Sequence, residues 1–269
     1  MAAVPARIFY INLDSRTDRR AFMESQLTAA QVGFERFPAV RPSIESLVKP
    51  EGEFYSFFKR ASAVYKRLAR DKRQEQRAIA YFGVYLSHYQ IHQRMADEPG
   101  RDYIILEDDC VFDRVHYDRL MTMIEHGDIP DDWDIIRDCW DSTDTVAKFL
   151  TSNHNSRFSE LTRYHNYYGG AHFSLFRAGA NPKLLRLLDE DYVFIIDGVY
   201  STHKLNVYHR RFGFHPADFG TDIPKLPEKT ALARKLVEAR RLAGRLIGKT
   251  GLASRALTAP HSGDDCARN

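Results

Sequence analysis

The sequence has little cysteine, no long apolar run and no glycine-rich phosphate loop of the Walker type. Its three cysteines, Cys110, Cys139 and Cys266, are odd in number and widely spaced, which predicts neither a disulfide framework nor a zinc site. The missing Walker loop gives no support to phosphate-handling enzymes of that class. No apolar run approaches the roughly 18 residues of a membrane span, and the N-terminus has no signal-peptide pattern. We therefore expect a cytoplasmic protein, at most peripheral on the inner face of a membrane.

Charge is nearly balanced in total but unevenly distributed along the chain. The formal net charge is +3, yet residues 59–77 carry eight lysines and arginines against two acidic residues. Residues 225–255 have a similar basic excess. Localised basic segments of this kind favour contact with an anionic surface over sequence-specific DNA recognition. We expect no nucleic-acid partner.

Short segments rich in β-branched and aromatic residues alternate with segments of helical spacing, which predicts an α/β fold with a sheet flanked by helices. We expect one domain over residues 1–224, with a basic helical insertion at 54–77. The predicted strands cover residues 7–13, 34–40, 103–106, 133–137 and 171–176.

The C-terminal part of the chain has a different pattern. Residues 225–257 predict a basic amphipathic helix in which Leu232 and Leu236 belong to an apolar stripe and Arg234 and Arg241 lie opposite. Such a helix fits an anionic membrane surface, or it packs on its own domain or on a partner subunit. Residues 258–269 are polar and predict a disordered tail. The sequence does not determine the oligomeric state.

Three consecutive acids follow a short apolar run. Residues 103–106 predict a strand buried on both faces, and Glu107, Asp108 and Asp109 come directly after it. Open α/β sheets bind ligands at the carboxyl ends of their strands. Adjacent carboxylates repel one another unless a cation or water relieves the repulsion. The motif therefore fits either a site for Mg²⁺ or Mn²⁺, which favour oxygen ligands, or a solvated acidic turn.

Four segments, taken in order, resemble glycosyltransferase family 25, the lipopolysaccharide-type sugar transferases related to collagen galactosyltransferases. They are Ile-Phe-Tyr-Ile-Asn-Leu-Asp-Ser-Arg-Thr-Asp-Arg-Arg at 8–20, Gly-Val-Tyr-Leu-Ser-His at 83–88, Ile-Leu-Glu-Asp-Asp at 105–109, and Tyr-Gly-Gly-Ala at 168–171. The resemblance covers about residues 7–222. It implies a GT-A-like (Rossmann-like) mixed sheet, a UDP-sugar donor with a galactose-like hexose favoured, Mn²⁺ or Mg²⁺ as cofactor, and a glycan or glycolipid acceptor such as a lipopolysaccharide precursor.

The resemblance also assigns roles to particular residues. The acid triplet corresponds to the metal-binding motif of the family, with Asp109 as the direct ligand and Glu107 or Asp108 near the ribose or a metal-bound water. Guanidinium groups suit phosphate geometry, so Arg16 and Arg19 are expected near the diphosphate. The full set expected around the nucleotide sugar is Ile11, Asn12, Leu13, Arg16, Arg19, Ser87 and His88.

His88 has two further interpretations. It lies one helical turn from His92, a spacing that also suits a transition metal. A structural histidine between helix and sheet is the other alternative. The sugar or acceptor pocket is expected to include Tyr168, Gly169, Gly170 and Asp222, although Asp222 also fits an ordinary turn residue.

An inverting sugar transferase needs a base for the acceptor hydroxyl. Asp197 follows the apolar residues 192–196, which we expect to be a strand, and it is our first candidate for that base. The family normally has proline before this aspartate, where this chain has Ile196. The family also usually has an acidic residue before Gly83 and a cysteine at the position of Val84. These departures keep open the alternative of a catalytically silent protein that binds glycan or nucleotide. A nucleotidyltransferase-type enzyme is the other alternative, because acids at the end of a strand also suit phosphoryl chemistry.

Overall fold

The structure is a computed structural model. It describes residues 6–52, 54–69, 71–138, 161–163, 171–190, 196–200, 202, 204–210 and 214–219. The predictions for the helix at 225–257, for the tail at 258–269, and for Tyr168, Gly169, Gly170 and Asp222 concern residues outside this described part.

A mixed seven-stranded sheet forms the centre of the fold, in the order β2-β1-β3-β7-β5-β8-β6. β1 is parallel to both β2 and β3, whereas β7 runs antiparallel to its neighbours β3 and β5. β4 and β9 form a separate antiparallel pair. The strands are β1 (Arg7–Asn12), β2 (Phe34–Pro38), β3 (Tyr103–Glu107), β4 (Cys110–Val111), β5 (Ile135–Asp138), β6 (Leu161–Arg163), β7 (Phe173–Phe176), β8 (Val207–Arg210) and β9 (His215–Pro216).

Helices connect these strands, and their ends follow local capping chemistry. The Asp71 side chain accepts hydrogen bonds from the backbone N–H groups of Arg73 and Gln74, and so begins the long helix α4. Gly127, with φ 70°, ends α5 in the left-handed conformation. The helices are α1 (Thr17–Ala29), α2 (Ile44–Val48), α3 (Tyr55–Leu68), α4 (Lys72–Ala96), α5 (Arg114–His126), α6 (Asn181–Glu190) and α7 (Ile196–Tyr200), with a 3₁₀ turn at Ala178–Ala180.

Apolar side chains cover both faces of the sheet. On β3, Ile104 and Leu106 pack on one face with α1 and α5, while Tyr103 and Ile105 pack on the other with α3, α4 and α6. These four side chains are 0% exposed. Burying a large apolar side chain contributes about 1.5–3 kcal/mol. The prediction of a strand buried on both faces is confirmed, and it places the acid triplet at the carboxyl end of the central strand.

Two predicted elements differ from those in the structure. The basic segment at 54–77 comprises α3 and the first residues of α4, because the Asp71 cap begins a new helix. The predicted strand at 192–196 is wrong at its last residue, since Ile196 is the first residue of α7. A short apolar run has the same pattern in a buried helix as in a buried strand. No helix in the described part is long and apolar enough to cross a membrane.

Candidate active site

A cavity of about 480 Å³ lies at the carboxyl ends of β1 and β3. The two strands are parallel and pair Ile11 with Glu107, so their carboxyl ends meet at one edge of the sheet. Residues 39–42 and α4 form the opposite wall. The wall includes most residues predicted to bind the donor and the metal: Ile11, Leu13, Arg19, Ser87, His88, Glu107, Asp108 and Asp109.

Asp108 is held by two neighbouring side chains. The Arg19 Nη1 donates to Asp108 Oδ1 at 2.6 Å, and the Asn12 Nδ2 donates to Asp108 Oδ2 at 2.8 Å. Asn12 is 1% exposed and reaches the cavity wall through this contact with Asp108. Because both carboxylate oxygens are engaged by the protein, Asp108 positions the turn and Arg19.

Asp109 differs from Asp108 in having an oxygen available. Its Oδ2 lies 3.6 Å from Arg19 Nη1, while its Oδ1 is buried and has no hydrogen-bond partner among the described residues. Burial raises the pKa of the Asp109 carboxyl, Arg19 opposes that shift, and the charge of Asp108 adds to it. A buried acceptor without a donor is costly, so this atom fits contact with a cation.

Glu107 ends β3 and lies beside the other acids. Burial raises the pKa of Glu107 well above its usual range, and the negative charges of Asp109, Asp197 and Asp108 raise it further. The guanidinium of Arg137 acts in the opposite direction. The site is therefore short of positive charge.

The acid triplet offers some, but not all, of the ligands that a hard divalent cation needs. No group of three or more potential ligands among His, Cys, Asp and Glu is arranged to hold a metal ion in the part of the chain described. Mg²⁺ sites commonly use one or two carboxylates and complete their shell with water and substrate phosphates. Asp109 and Glu107 could supply those two carboxylates, with substrate oxygens completing the shell.

The two predicted phosphate-binding arginines have different positions. Arg19 is 6% exposed and lies in the cavity wall. Arg16 forms a two-point contact with Asp18, from Nε to Oδ1 at 3.0 Å and from Nη2 to Oδ2 at 2.8 Å. The positive charge of Arg16 still lowers the pKa of Asp109. Of these two arginines, Arg19 is the one that lines the cavity.

The Gly83 motif fixes the opposite wall. A Cβ added at Gly83 would lie 2.4 Å from the Val40 carbonyl oxygen, so only glycine lets residues 39–42 cross α4 this closely. Ser87 Oγ donates to the Gly83 carbonyl at 2.7 Å and accepts from the Val40 N–H at 2.8 Å. Ser87 lines the cavity as predicted, but its hydroxyl proton is used to hold this wall.

His88 and His92 both contact Tyr200. His88 Nδ1 lies 2.9 Å, and His92 Nε2 2.6 Å, from the Tyr200 hydroxyl. Burial, with a smaller effect of Arg137, lowers the pKa of His88 to about 3, and burial lowers the pKa of His92 well below its usual range. The pair shares a tyrosine, which does not favour the transition-metal alternative.

Asp197 and Arg137 form an ion pair near the acids. Arg137 Nη2 donates to Asp197 Oδ1 at 2.5 Å, and Arg137 is 0% exposed. Among the described residues, neither one lines the cavity. Sequence reasoning missed Arg137, although an arginine at the end of a buried strand is a signal, because a buried charge needs a partner.

Comparison with known proteins identifies the family of this chain. Residues 6–179 match the profile of glycosyltransferase family 25, described as a lipopolysaccharide biosynthesis protein. The match includes all four motifs, the acid triplet among them, while Asp197 and Asp222 lie beyond it. No curated protein sequence matches the chain. Because the matched residues make up more than half of the chain, this protein belongs to glycosyltransferase family 25 and is a glycosyltransferase.

Proposed function

We propose that this enzyme transfers a hexose, with a galactose-like sugar favoured, from a UDP-sugar to a glycan acceptor such as a lipopolysaccharide precursor. The observation that carries the proposal is the joining of Arg19 and the acid triplet in one cavity at the carboxyl ends of two parallel strands. Ligand cavities typically measure about 300–1,000 Å³, and the 480 Å³ here suits a nucleotide sugar. The same position supports a GT-A-like arrangement, since α/β sheets bind nucleotides at this edge.

The cavity has two chemically distinct sides. Arg19 offers a guanidinium that suits a diphosphate. Val40, Ile79 and Val84 line another part of the wall and offer apolar surface to a base or sugar ring. This combination favours a ligand with one strongly anionic part and one flat or weakly polar part, as in a UDP-sugar.

Asp109 and Glu107 are the proposed ligands for Mn²⁺ or Mg²⁺. When bound, such an ion would stabilise the negative charge that builds on the leaving diphosphate. The contacts of Asp108 with Arg19 and Asn12 hold the turn that carries both ligands. Arg19 balances part of the acid charge and remains in the wall to face the diphosphate.

Transfer with inversion requires a base that takes the proton of the acceptor hydroxyl. We keep Asp197 in that role. The hydrogen bond from Arg137 orients the Asp197 carboxylate, and the effect of Asp197 on the pKa of Glu107 supports its closeness to the reaction centre.

The proposal for how the enzyme reaches its acceptor is based on the sequence pattern of the C-terminal segment. The basic segment 225–257 is proposed to bind an anionic membrane surface on the cytoplasmic side, where lipid-linked acceptors are found. Removing residues 227–269 should abolish binding to anionic vesicles and leave transfer to a soluble acceptor intact. Unchanged vesicle binding would assign the anchor elsewhere.

One comparison tests the enzymatic proposal. UDP release and sugar transfer should be measured with Mn²⁺ on a panel of UDP-sugars, for the wild type, Asp109→Asn and the surface control Asp118→Asn. Asp118 lies on α5, is half exposed and pairs with Arg114. We expect Asp109→Asn to lose turnover and Asp118→Asn to keep it. No turnover by the wild type, together with no thermal stabilisation by UDP and Mn²⁺, would refute the proposal.

A further inference from the structure

A buried chain of hydrogen bonds connects the start of α6 to the cavity wall. Its five side chains are 0–2% exposed. The successive contacts measure 2.8, 2.5, 2.6 and 2.9 Å. In order, the members are Asn181, Tyr103, His92, Tyr200 and His88.

Asn181 determines which group donates and which accepts in each of these hydrogen bonds. Its Nδ2 donates to the backbone carbonyl of His92 at 2.9 Å, and a carbonyl can only accept. The amide orientation is thereby fixed, so Asn181 Oδ1 faces the Tyr103 hydroxyl. That oxygen also only accepts, and Tyr103 must therefore donate to it. Burial raises the pKa of Tyr103 well above its usual range, which keeps this proton in place.

The direction passes through His92. Tyr103 has used its one proton, so its oxygen accepts from His92 Nδ1–H. His92 is neutral because burial lowers its pKa, and a neutral imidazole with a proton on Nδ1 has none on Nε2. His92 Nε2 is therefore an acceptor, and the Tyr200 hydroxyl donates to it.

The hydrogen bond from Tyr200 also determines which nitrogen of His88 carries the proton. Tyr200 has used its proton, so its oxygen accepts from His88 Nδ1–H. His88 is also neutral, and its Nε2 carries a lone pair without a proton. That atom is buried and has no hydrogen-bond partner among the described residues, while His88 itself lines the cavity.

We infer that His88 Nε2 is a hydrogen-bond acceptor for a hydroxyl or N–H group of the ligand, and that Asn181 fixes this role through the chain of hydrogen bonds. An acceptor in this position admits such a donor and disfavours a carbonyl or a phosphate oxygen. The identity of the ligand rests on the proposed function. Under it, the donor belongs either to the nucleoside, as a ribose hydroxyl or the uracil N–H, or to the transferred sugar.

The tautomers can be tested without any ligand. Long-range ¹H–¹⁵N spectra of the ¹⁵N-labelled full chain, assigned with the His88→Asn and His92→Asn variants, should show both histidines protonated on Nδ1. His126 on α5, whose side chain is 67% exposed, serves as an internal reference with averaged tautomers. A proton on His88 Nε2 at neutral pH would overturn the inference.

Two substitutions test the ligand contact. Asn at position 88 can keep a donor near Nδ1 for Tyr200 but has no atom at the Nε2 position, whereas Gln places an amide oxygen there. Titration calorimetry with Mn²⁺ present should measure the affinities of both variants and the wild type for UDP, UDP-galactose and UDP-glucose. We expect His88→Asn to weaken binding about 10-fold, the value of one hydrogen bond, and His88→Gln to restore most of it.

Comparing UDP with the UDP-sugars identifies the part of the ligand that supplies the donor. Weakened binding of UDP itself assigns the contact to the nucleoside, and weakened binding of the UDP-sugars alone assigns it to the transferred sugar. Wild-type affinity of His88→Asn for all three would overturn the contact. If the wild type binds none of them, the proposed function fails, and the tautomer result still decides the direction of the chain.

Discussion

Replacing Gly83 with alanine is expected to impair activity far more than stability. The added Cβ would lie 2.4 Å from the Val40 carbonyl oxygen and 3.3 Å from Pro42 Cδ. The first contact is with backbone, so the crossing residues must move by about 0.6 Å to reach 3.0 Å. The same movement strains the hydrogen bond from the Val40 N–H to Ser87 Oγ.

Two opposing effects set the magnitude for Gly83→Ala. Overpacking typically costs about 1–3 kcal/mol. Alanine gains about 1 kcal/mol over glycine inside a helix. The net loss in the free energy of unfolding should therefore be about 0–2 kcal/mol. Misplacing a binding wall by a distance near 1 Å can reduce turnover about 100-fold, so we expect a fall in kcat/KM of about 10–100-fold.

The assay pairs urea unfolding with UDP-sugar turnover. Gly33→Ala is the matched control, because a Cβ at Gly33 meets nothing within 4 Å. Both variants should remain folded, and only Gly83→Ala should lose activity and UDP-induced stabilisation. Wild-type turnover in Gly83→Ala would refute the view that this crossing shapes the donor cavity.

Three further predictions concern the buried charges. Arg137→Met should cost about 3–5 kcal/mol because it leaves Asp197 without its buried partner; an unchanged urea midpoint would contradict this. His88 is neutral when folded, with a pKa of about 3, whereas the unfolded chain takes up the proton near 6.5. The contribution of neutral His88 to the free energy of unfolding is therefore complete above pH 6.5 and decreases toward pH 3, by about 2 kcal/mol at pH 5. Urea unfolding should show that His88→Asn loses less stability on acidification than the wild type. Because the pKa values of Glu107 and Asp109 are raised, Mn²⁺ affinity by calorimetry should keep increasing with pH above the range in which ordinary carboxyl groups ionise; an affinity that does not change with pH there would count against these ligands.

Local sequence patterns were sufficient for the parts of the fold that depend on short segments. The apolar run before the acid triplet predicted a strand buried on both faces, and β3 is that strand. Parallel pairing of β1 with β3 then brings Leu13 and Arg19 into the same cavity wall as the acids. These residues come together because the carboxyl ends of parallel strands meet at the same edge of a sheet.

Local sequence patterns could not predict contacts between segments that are far apart in the chain. His88 and Tyr200 are 112 residues apart, and no periodicity indicates that a tyrosine on α7 would lie between two histidines on α4. The partner of Arg137 was missed for the same reason, since Asp197 is 60 residues away and was expected directly after a strand. Ser87 was identified by its motif, but its role depends on the crossing of residues 39–42.

The balance of charge around β3 explains why the acid triplet is both costly and useful. Its three carboxylates and Asp197 face two buried guanidinium groups, those of Arg19 and Arg137. Full ionisation would leave a formal charge of about −2 in a poorly solvated region, and the raised pKa values of Glu107 and Asp109 are the expected response. Under the proposed function, a divalent cation that binds together with the substrate diphosphate would offset this deficit of positive charge.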